Sequence, residues 1–273
     1  MKNIWLVVPC YNEEEVLPET SRQLKAVMQS MIDSGKISPE SKIAFVNDGS
    51  KDNTWNIISA LCTDDGIFAG INLSRNKGHQ NALLAGLMTA KKYADAVISL
   101  DADLQDDVDA IEKMVDNFIA GDDIVYGVRS SRKKDTFFKR FTAEGFYKFM
   151  AAMGVEIVFN HADYRLMSRR ALDALSEFDE VNLFLRGIVP QIGFRTSTVE
   201  YERKERLAGE SKYPLKKMLS FAFEGITSFS VRPLKIATTL GIFSLLVCLA
   251  MLIYCIVSKA TGHAVAGWAS IGA

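Results

Sequence analysis

Short apolar runs alternate with amphipathic segments along roughly the first half of the chain. The runs are rich in β-branched residues and are bounded by polar turns, as is typical of strands buried on both faces of a parallel sheet. We predict strands at 4–8, 43–46, 68–73, 97–100 and 124–128, and helices at 16–34, 54–61, 77–92 and 107–119. Such alternation predicts an α/β domain: a mostly parallel sheet with helices on both faces.

A much longer apolar run lies near the C-terminus. Residues 236–257 contain no charged side chain, and a helix of this length spans a hydrocarbon core of roughly 30 Å. A buried helix of a soluble protein is the alternative. Only Lys259 is a lysine or arginine after the run, whereas segment 203–235 directly before it carries eight: Arg203, Lys204, Arg206, Lys212, Lys216, Lys217, Arg232 and Lys235. This asymmetry places residues 1–235 in the cytoplasm.

The apolar pattern therefore divides the chain into four parts. Residues 1–213 are predicted to form a cytoplasmic α/β domain, and 214–235 a juxtamembrane amphipathic helix that lies in the interface. Residues 236–257 are the transmembrane helix, and 258–273 are a loop and the start of a second one. A further segment, 137–150, interleaves phenylalanine with lysine and arginine, which suits either an interfacial helix or an ordinary core-facing one.

Composition adds limits rather than a function. The net charge of the 273 residues is −1, which gives no indication of a nucleic-acid partner. The four cysteines lie far apart and form no CxxC pair, so a zinc or redox motif is unsupported. The N-terminal apolar run is too short for a signal peptide and is interpreted as the first strand.

Polar motifs follow the predicted strands where they end. Asp101, Ala102 and Asp103 come directly after the run 97–100, and two carboxylates spaced in this way can converge on one hard cation. A solvated acidic turn is the alternative for an isolated motif of this kind. Residues 9–13 and 47–50 follow two other strands, and ligands gather at the carboxyl ends of strands in open α/β sheets.

Taken in order, VVPCYNEEE, VNDGSKD and SLDADLQDD resemble the family 2 glycosyltransferases with a GT-A fold, a Rossmann-like fold. The segments 163–168, 182–187, 205–213 and 224–230 narrow the resemblance to the polyprenyl-phosphate glycosyltransferases. That group contains bacterial undecaprenyl-phosphate glucosyltransferases and dolichyl-phosphate mannose synthases. The sequence departs from the group at 160–162, Asn-His-Ala, where relatives often carry glycine.

The resemblance implies a role for each matching residue. The nucleotide-sugar site would comprise Pro9, Tyr11, Asn12, Glu13, Asp48, Asp101, Ala102, Asp103 and Arg129. Tyr11 offers a stacking face, and Asp48 either accepts hydrogen bonds from the base or ribose or serves as a turn carboxylate. Mg²⁺ or Mn²⁺ would be bound by Asp101, Asp103 and Gln105.

The acceptor side is implied in the same way. The phosphate of the acceptor would contact Arg140, Arg206, Ser211 and Lys212, although Arg140 could equally be a solvated surface charge. The catalytic residues would be Asp163, Arg206 and Lys212. Because a phosphate is already largely ionised at neutral pH, Asp163 need not be a strong base.

The implied reaction is the inverting transfer of a hexose from a UDP-sugar to undecaprenyl or another polyprenyl phosphate at a bacterial plasma membrane. Glucose is the first choice, and N-acetylglucosamine, galactose, mannose and aminoarabinose stay open. A homo-oligomer, such as a tetramer, is also implied.

A processive polysaccharide synthase should carry a QxxRW motif and several spans, neither of which is found. A soluble transferase would not explain the apolar run, and a non-catalytic membrane scaffold would not explain the intact acidic motif.

Overall fold

The computed structural model describes residues 1–130, 161–178, 185–202 and 232–262. Within these ranges seven strands form one sheet: β1 (Ile4–Cys10), β2 (Lys42–Asn47), β3 (Phe68–Asn72), β4 (Ala96–Ser99), β5 (Ile124–Arg129), β6 (His161–Ser168) and β7 (Thr196–Tyr201). The helices are α1 (Leu17–Asp33), α2 (Thr54–Asp64), α3 (His79–Ala90), α4 (Ala110–Ile119), α5 (Arg169–Leu175), α6 (Leu185–Ile188) and α7 (Arg232–Ala260). A 3₁₀ turn, Val189–Ile192, follows α6.

The sheet has the order β3-β2-β1-β4-β6-β5-β7. All neighbouring pairs are parallel except those of β6, which is antiparallel to both β4 and β5. The prediction of a mostly parallel sheet is therefore confirmed, with one reversed strand inside it. That reversal brings the start of β6 to the edge where the other six strands end.

Apolar side chains cover both faces of the sheet, as the continuous apolar runs predict. All seven residues of β1 are buried. On one face Leu6 and Val8 belong to a core that includes residues of α1, α2 and α4. On the other face Trp5 and Val7 pack with residues of α3 and α5. Helices thus lie on both faces, as expected.

Helix α3 packs directly against the sheet at Gly86. A Cβ atom at this position would lie 2.4 Å from Val7 Cγ1 and 2.8 Å from Val46 Cγ2. Protein interiors are close-packed, so this space cannot accept a methyl group without movement of the helix. The position of Gly86 therefore fixes the distance of α3 from β1 and β2.

All five predicted strands are present, but β6 and β7 were not predicted. Helix α3 begins at His79 rather than at 77. Gly78 has a φ of +86°, and the amides of Lys77 and Gly78 donate hydrogen bonds to the side chain of Asp48. Helix α4 begins at Ala110 rather than at 107.

Helix α7 is apolar over Leu234–Ala260, and its most apolar 18-residue window has a mean hydropathy of 2.8. None of this stretch is buried in the described part of the chain, and Phe243, for example, is 66% exposed. By length and composition it can cross a membrane, and it contains the predicted span 236–257. Three predicted parts lie outside the described residues: segment 137–150, residues 214–231 of the juxtamembrane helix, and the tail 263–273. Residues 232–235, which were predicted to end the juxtamembrane helix, belong to α7. The four-part division stays a prediction.

Candidate active site

The site lies along the edge where the parallel strands end. Cys10 of β1 and Asn47 of β2 are register partners there, as are Arg129 of β5 and Tyr201 of β7. Val128 pairs with His161, so the reversed strand β6 starts at the same edge. The loops that carry the predicted motifs therefore meet at one place.

The loops after β1 and β2 are joined by hydrogen bonds. The amide of Asn12 donates to Ser50 Oγ at 3.0 Å, and the amide of Lys51 donates to Asn12 Oδ1 at 2.9 Å. The amide of Glu13 donates to Thr54 Oγ1 at 2.9 Å. Asn12 adopts a φ of +54°, a conformation that asparagine tolerates better than most residues. The result is a preformed cradle beside Tyr11, which is 37% exposed.

Asp48 holds a third loop in place. Its side chain is buried, and its two oxygens accept hydrogen bonds from the amides of Lys77 at 2.6 Å and Gly78 at 3.0 Å. The adjacent Gly49 has a φ of +64°, and a Cβ there would lie 2.5 Å from the amide nitrogen of Asn76. Asp48 thus serves as a turn carboxylate that fixes the start of α3, while its predicted contact with the nucleoside stays a prediction.

Asp101 and Asp163 face each other across the junction of β4 and β6. The antiparallel register pairs Ser99 with Arg165, and continuing it by two residues sets 101 opposite 163. The imidazole of His79 lies between them, with Nε2 3.7 Å from Asp101 Oδ1 and 3.7 Å from Asp163 Oδ2. The predicted metal motif and the predicted acceptor residue therefore share one site.

Asp163 is a buried carboxylate that is held by cations. It is 5% exposed, and its Oδ1 accepts a hydrogen bond from Arg165 at 2.7 Å. Arg186 donates to both oxygens, at 3.2 and 3.0 Å. Burial alone would raise the pKa of Asp163, but Arg186, His79 and Arg165 hold it well below its usual range. Asp163 is consequently an ionised anchor and a poor proton acceptor.

Gln80 adds a polar link between two helix starts beside this anchor. Its Nε2 approaches Asp163 Oδ2 at 3.4 Å, and its Oε1 accepts from the amide of Leu185 at 3.2 Å. The start of α3 and the start of α6 are thereby tied to the same carboxylate. The loop that Asp48 fixes is thus also coupled to Asp163.

Asp101 carries negative charge that is only partly compensated. The side chain of Asp101 is 42% exposed, but its carboxylate is enclosed by protein, and this burial is the main cause that raises its pKa to about 6. The charges of Asp106, Asp163 and Asp103 raise the pKa further, whereas His79 lowers it. The pKa of His79 is raised as well: enclosure alone would lower it, but the hydrogen bond to Asp163 and the charges of Asp101 and Asp163 outweigh that effect. An excess of carboxylates at a partly open position suits a bound cation.

The three predicted cation ligands lie on one loop, and their binding of a metal stays a prediction. Asp101, Asp103 and Gln105 are each half-buried on the loop after β4, and Asp103 Oδ1 accepts from the amide of Gln105 at 3.2 Å. Across the described ranges no group of three or more histidine, cysteine or acidic side chains is arranged to hold a metal ion by itself. An open site of this kind fits Mg²⁺ or Mn²⁺, which keep waters and take phosphate oxygens.

The remaining predicted residues are either buried, at the site edge, or outside the described part of the chain. Pro9 is buried within β1, and Ala102 is buried with its carbonyl accepting from Thr20 Oγ1 at 2.6 Å. Arg129, predicted to contact phosphate, lies at the same edge beside Asp106, 3.4 Å away. Its role toward phosphate stays a prediction. Four residues predicted on the acceptor side lie outside the described part of the chain: Arg140, Arg206, Ser211 and Lys212.

His79, Arg165 and Arg186 were not recognised from the sequence as site residues. His79 is separated from Asp163 by more than eighty residues, and only the strand order brings them together. One signal was available, since Gly78-His79-Gln80 follows the third predicted strand toward the same edge as the other motifs. Arg165 and Arg186 lie within the segments 163–168 and 182–187 that carry the family resemblance, but their spacing did not indicate Asp163 as their partner.

This sheet, with its parallel strands ending at one edge, gives the chain a GT-A fold. Glucosyl-3-phosphoglycerate synthase from Mycobacterium tuberculosis shares the fold, with a TM-score of 0.51 at 15% identity, covering 84% of this chain and 79% of that one. The model for Glycosyl transferase family 2 matches residues 5–176, and the chain belongs to that family.

Two relatives are similar over most of their length. The uncharacterized glycosyltransferase YkoT of Bacillus subtilis (strain 168) is 53% identical over 266 residues, which are 97% of this chain and 79% of YkoT. The bactoprenol glucosyl transferase of Shigella phage SfV is 42% identical over 242 residues, 88% of this chain and 76% of the relative. Both similarities extend beyond the residues that the family model matches.

Proposed function

We propose that this glycosyltransferase transfers a hexose, with glucose as the first choice, from a UDP-sugar to a polyprenyl phosphate. The similarity to relatives named bactoprenol glucosyl transferase supports the acceptor and the sugar. The observation that carries the proposal is the meeting of Asp101, His79 and Asp163 at the strand-end edge, because it joins a cation-binding motif to an arginine-held anion.

On the donor side, the joined loops after β1 and β2 would hold the nucleoside, with Tyr11 as the stacking surface. A divalent cation held by Asp101, Asp103 and Gln105 would neutralise the diphosphate as it leaves. The loop fixed by Asp48 would keep His79 beside Asp101.

On the acceptor side, a phosphate oxygen of the lipid would form a bond to the anomeric carbon while the bond from that carbon to UDP breaks. A single displacement of this kind inverts the anomeric configuration. The acceptor needs little deprotonation, since its second pKa is about 6. Asp163 would therefore act by holding Arg186 in place, and Arg186 would contribute positive charge near the reacting phosphates.

Several predicted residues complete this proposal from outside the described ranges. Arg140, Arg206, Ser211 and Lys212 would bind the acceptor phosphate at the membrane surface. Helix α7 would anchor the enzyme in a bacterial plasma membrane, and the basic residues before it would place the catalytic domain in the cytoplasm. Assembly into a homo-oligomer stays a prediction.

A donor screen tests the proposed reaction. The membrane-embedded protein would be incubated with undecaprenyl phosphate, Mg²⁺ or Mn²⁺ and, in turn, UDP-glucose, UDP-N-acetylglucosamine, UDP-galactose, GDP-mannose and a UDP-linked aminoarabinose. Mass spectrometry of the lipid fraction would detect the product. We expect a glucosylated lipid, with formation that stops when the cation is chelated.

Matched aspartate variants give the control. Asp103→Asn removes a carboxylate of the metal motif and should abolish the product, whereas Asp33→Asn changes an exposed carboxylate at the end of α1 and should not. Product from another donor alone would correct the sugar. Absence of any lipid product, with metal-dependent UDP binding intact, would contradict the acceptor assignment.

A further inference from the structure

Three side chains, two of them buried and that of Arg129 half-buried, form a cluster beside the metal motif: Asp106, Arg129 and Tyr201. Asp106 is 4% exposed, and its Oδ1 accepts a hydrogen bond from the hydroxyl of Tyr201 at 2.5 Å. Arg129 Nη2 lies 3.4 Å from the same oxygen, and Arg129 Nε lies 3.4 Å from the Tyr201 hydroxyl. Arg129 and Tyr201 are the register partners that end β5 and β7. We call these three residues the Asp106 cluster.

The cluster fixes a loop that has no regular structure of its own. Asp106 lies between β4 and α4, three residues after Asp103 and directly after Gln105. Within this loop Leu104 has a φ of +53°, a conformation that non-glycine residues keep only where their surroundings enforce it. The loop must therefore be held from outside for Asp103 and Gln105 to keep their positions.

Two further contacts hold the same loop, but they use its backbone carbonyls. The hydroxyl of Tyr164 donates to the carbonyl of Asp107 at 2.9 Å, and Thr20 bonds the carbonyl of Ala102. The rings of Tyr164 and Tyr201 meet edge to face at 5.2 Å. The Asp106 cluster differs in that it holds the loop through a side chain, so substitution can remove it without changing the backbone.

Tyr201 is suited to this role because it stays protonated. Burial, together with the charge and hydrogen bond of Asp106, raises the pKa of the Tyr201 phenol. The hydroxyl therefore remains a hydrogen-bond donor to Asp106 at every physiological pH. Tyr201 is also the last residue of β7, five residues before Arg206, which is predicted to bind the acceptor phosphate.

We propose that Arg129 and Tyr201 are positioning residues that act through Asp106 to present Asp103 and Gln105 to the divalent cation. This inference rests on the proposed function for the identity of the metal-binding motif. Its consequence is that the cluster sets the affinity for the cation, while the rate at saturating cation depends on other residues. Partners that orient metal ligands from behind affect metal affinity in this way.

Binding of Mn²⁺ to the full-length protein in lipid nanodiscs tests the proposal without relying on turnover. Free Mn²⁺ would be measured by its electron paramagnetic resonance signal during titration in the presence of UDP. We expect Tyr201→Phe and Asp106→Ala to raise the dissociation constant of Mn²⁺ about tenfold. Asp106→Asn keeps an oxygen that can accept from Tyr201 and should rescue most of the affinity that Asp106→Ala loses.

Tyr93→Phe is the matched control for the phenol. Tyr93 is 59% exposed and lies beside the start of β1, at the opposite end of the sheet, so its dissociation constant should equal that of the wild type. Thermal unfolding without metal would confirm that the variants are folded. If Tyr201→Phe does not fold, the comparison of Asp106→Asn with Asp106→Ala decides the question.

The outcomes separate this inference from the proposed reaction. An unchanged Mn²⁺ dissociation constant in folded Tyr201→Phe or Asp106→Ala would overturn the positioning role, as would a lower rate at saturating Mn²⁺ with unchanged affinity. A wild-type protein that binds Mn²⁺ with UDP but makes no lipid-linked sugar would refute the reaction alone, because the binding comparison would still hold. Failure of the wild type to bind Mn²⁺ would overturn both.

Discussion

The guanidinium of Arg165 lies 2.7 Å from the carboxylate of Asp163, two residues earlier on β6. Both side chains are buried, at 1% and 5% exposure. Residues spaced by two on a strand point to the same face, so the pair is built into the strand itself. Arg186 then binds the same carboxylate from another element. One carboxylate therefore compensates a buried arginine and orients a second one at the site.

Removal of this carboxylate should destabilise the fold. Asp163→Ala leaves Arg165 buried without its counter-charge, and we expect the free energy of unfolding to fall by about 3–5 kcal/mol. Urea denaturation would measure it. Asp33→Ala, at an exposed position on α1, should stay within about 0.5 kcal/mol of the wild type. Equal stability of the two variants would show that Arg165 is compensated by other groups.

The ionised state of Asp163 predicts the pH dependence of transfer. Because the pKa of Asp163 is depressed in the folded protein, its stabilising contribution is present above the unfolded-state value and is lost only as the pH falls through the lower, folded value. Asp163 therefore does not titrate between about pH 5 and about pH 8. The rate should rise near pH 6, where the acceptor phosphate ionises and Asp101, whose pKa is raised to about 6, also titrates, in both the wild type and Asp163→Asn.

Steady-state rates across that pH range, with saturating lipid acceptor, would check this expectation. Asp163→Asn should lower the whole profile without changing its shape. A wild-type profile with an acidic limb that the variant lacks would assign Asp163 the role of a general base, against the geometry described above.

Close packing of α3 predicts a large effect from a single methyl group. Gly86→Ala would place Cβ against Val7 and Val46, and overpacking of this kind typically costs about 1–3 kcal/mol. Gly66→Ala is the control, since a Cβ there meets no atom within 4 Å. Chemical denaturation compares the two. The displaced helix would also move His79, so transfer activity should fall in Gly86→Ala alone; equal stability would mean that α3 can shift at little energetic expense.

A charge placed within α7 tests its membrane role. Leu246 lies near the middle of the apolar stretch Leu234–Ala260, where an arginine disfavours insertion by about 2.5–3.5 kcal/mol. Leu234→Arg, at the end of the stretch, should be tolerated because a long basic side chain can reach the interface there. Alkaline extraction of membranes should release more of Leu246→Arg than of Leu234→Arg. Equal retention of both variants would argue against a spanning helix.

The sequence was sufficient for the part of the fold in which each strand is buried on both faces. Continuous apolar runs predicted β1, β2 and β4 because no polar residue interrupts them. β6 was missed because it carries Asp163 and Arg165 inward, where their mutual compensation is invisible in a single sequence. β7 was missed because it is largely exposed and buries only Val199 and Tyr201.

The site was predictable to the extent that it follows strand ends. Asp101, Asp103 and Asp163 were all proposed from motifs, and the sheet order brings them to one edge. The partners of these residues could not be predicted, because contacts such as His79 with Asp163 depend on which strands are neighbours. For the same reason the sequence could not decide the role of Asp48, since a turn carboxylate and a ribose ligand have the same local sequence. The structure shows that Asp48 fixes the loop before α3.

The pairing of Val128 with His161 has a consequence for how this chain can vary. The register holds these two positions side by side although 32 residues separate them along the sequence. The closure entropy of a chain between two fixed points grows only logarithmically with its length, and a doubling of that length costs only about 0.6 kcal/mol. An insertion or deletion between the two positions would thus change the free energy of unfolding little and leave the positions of Asp101 and Asp163 preserved.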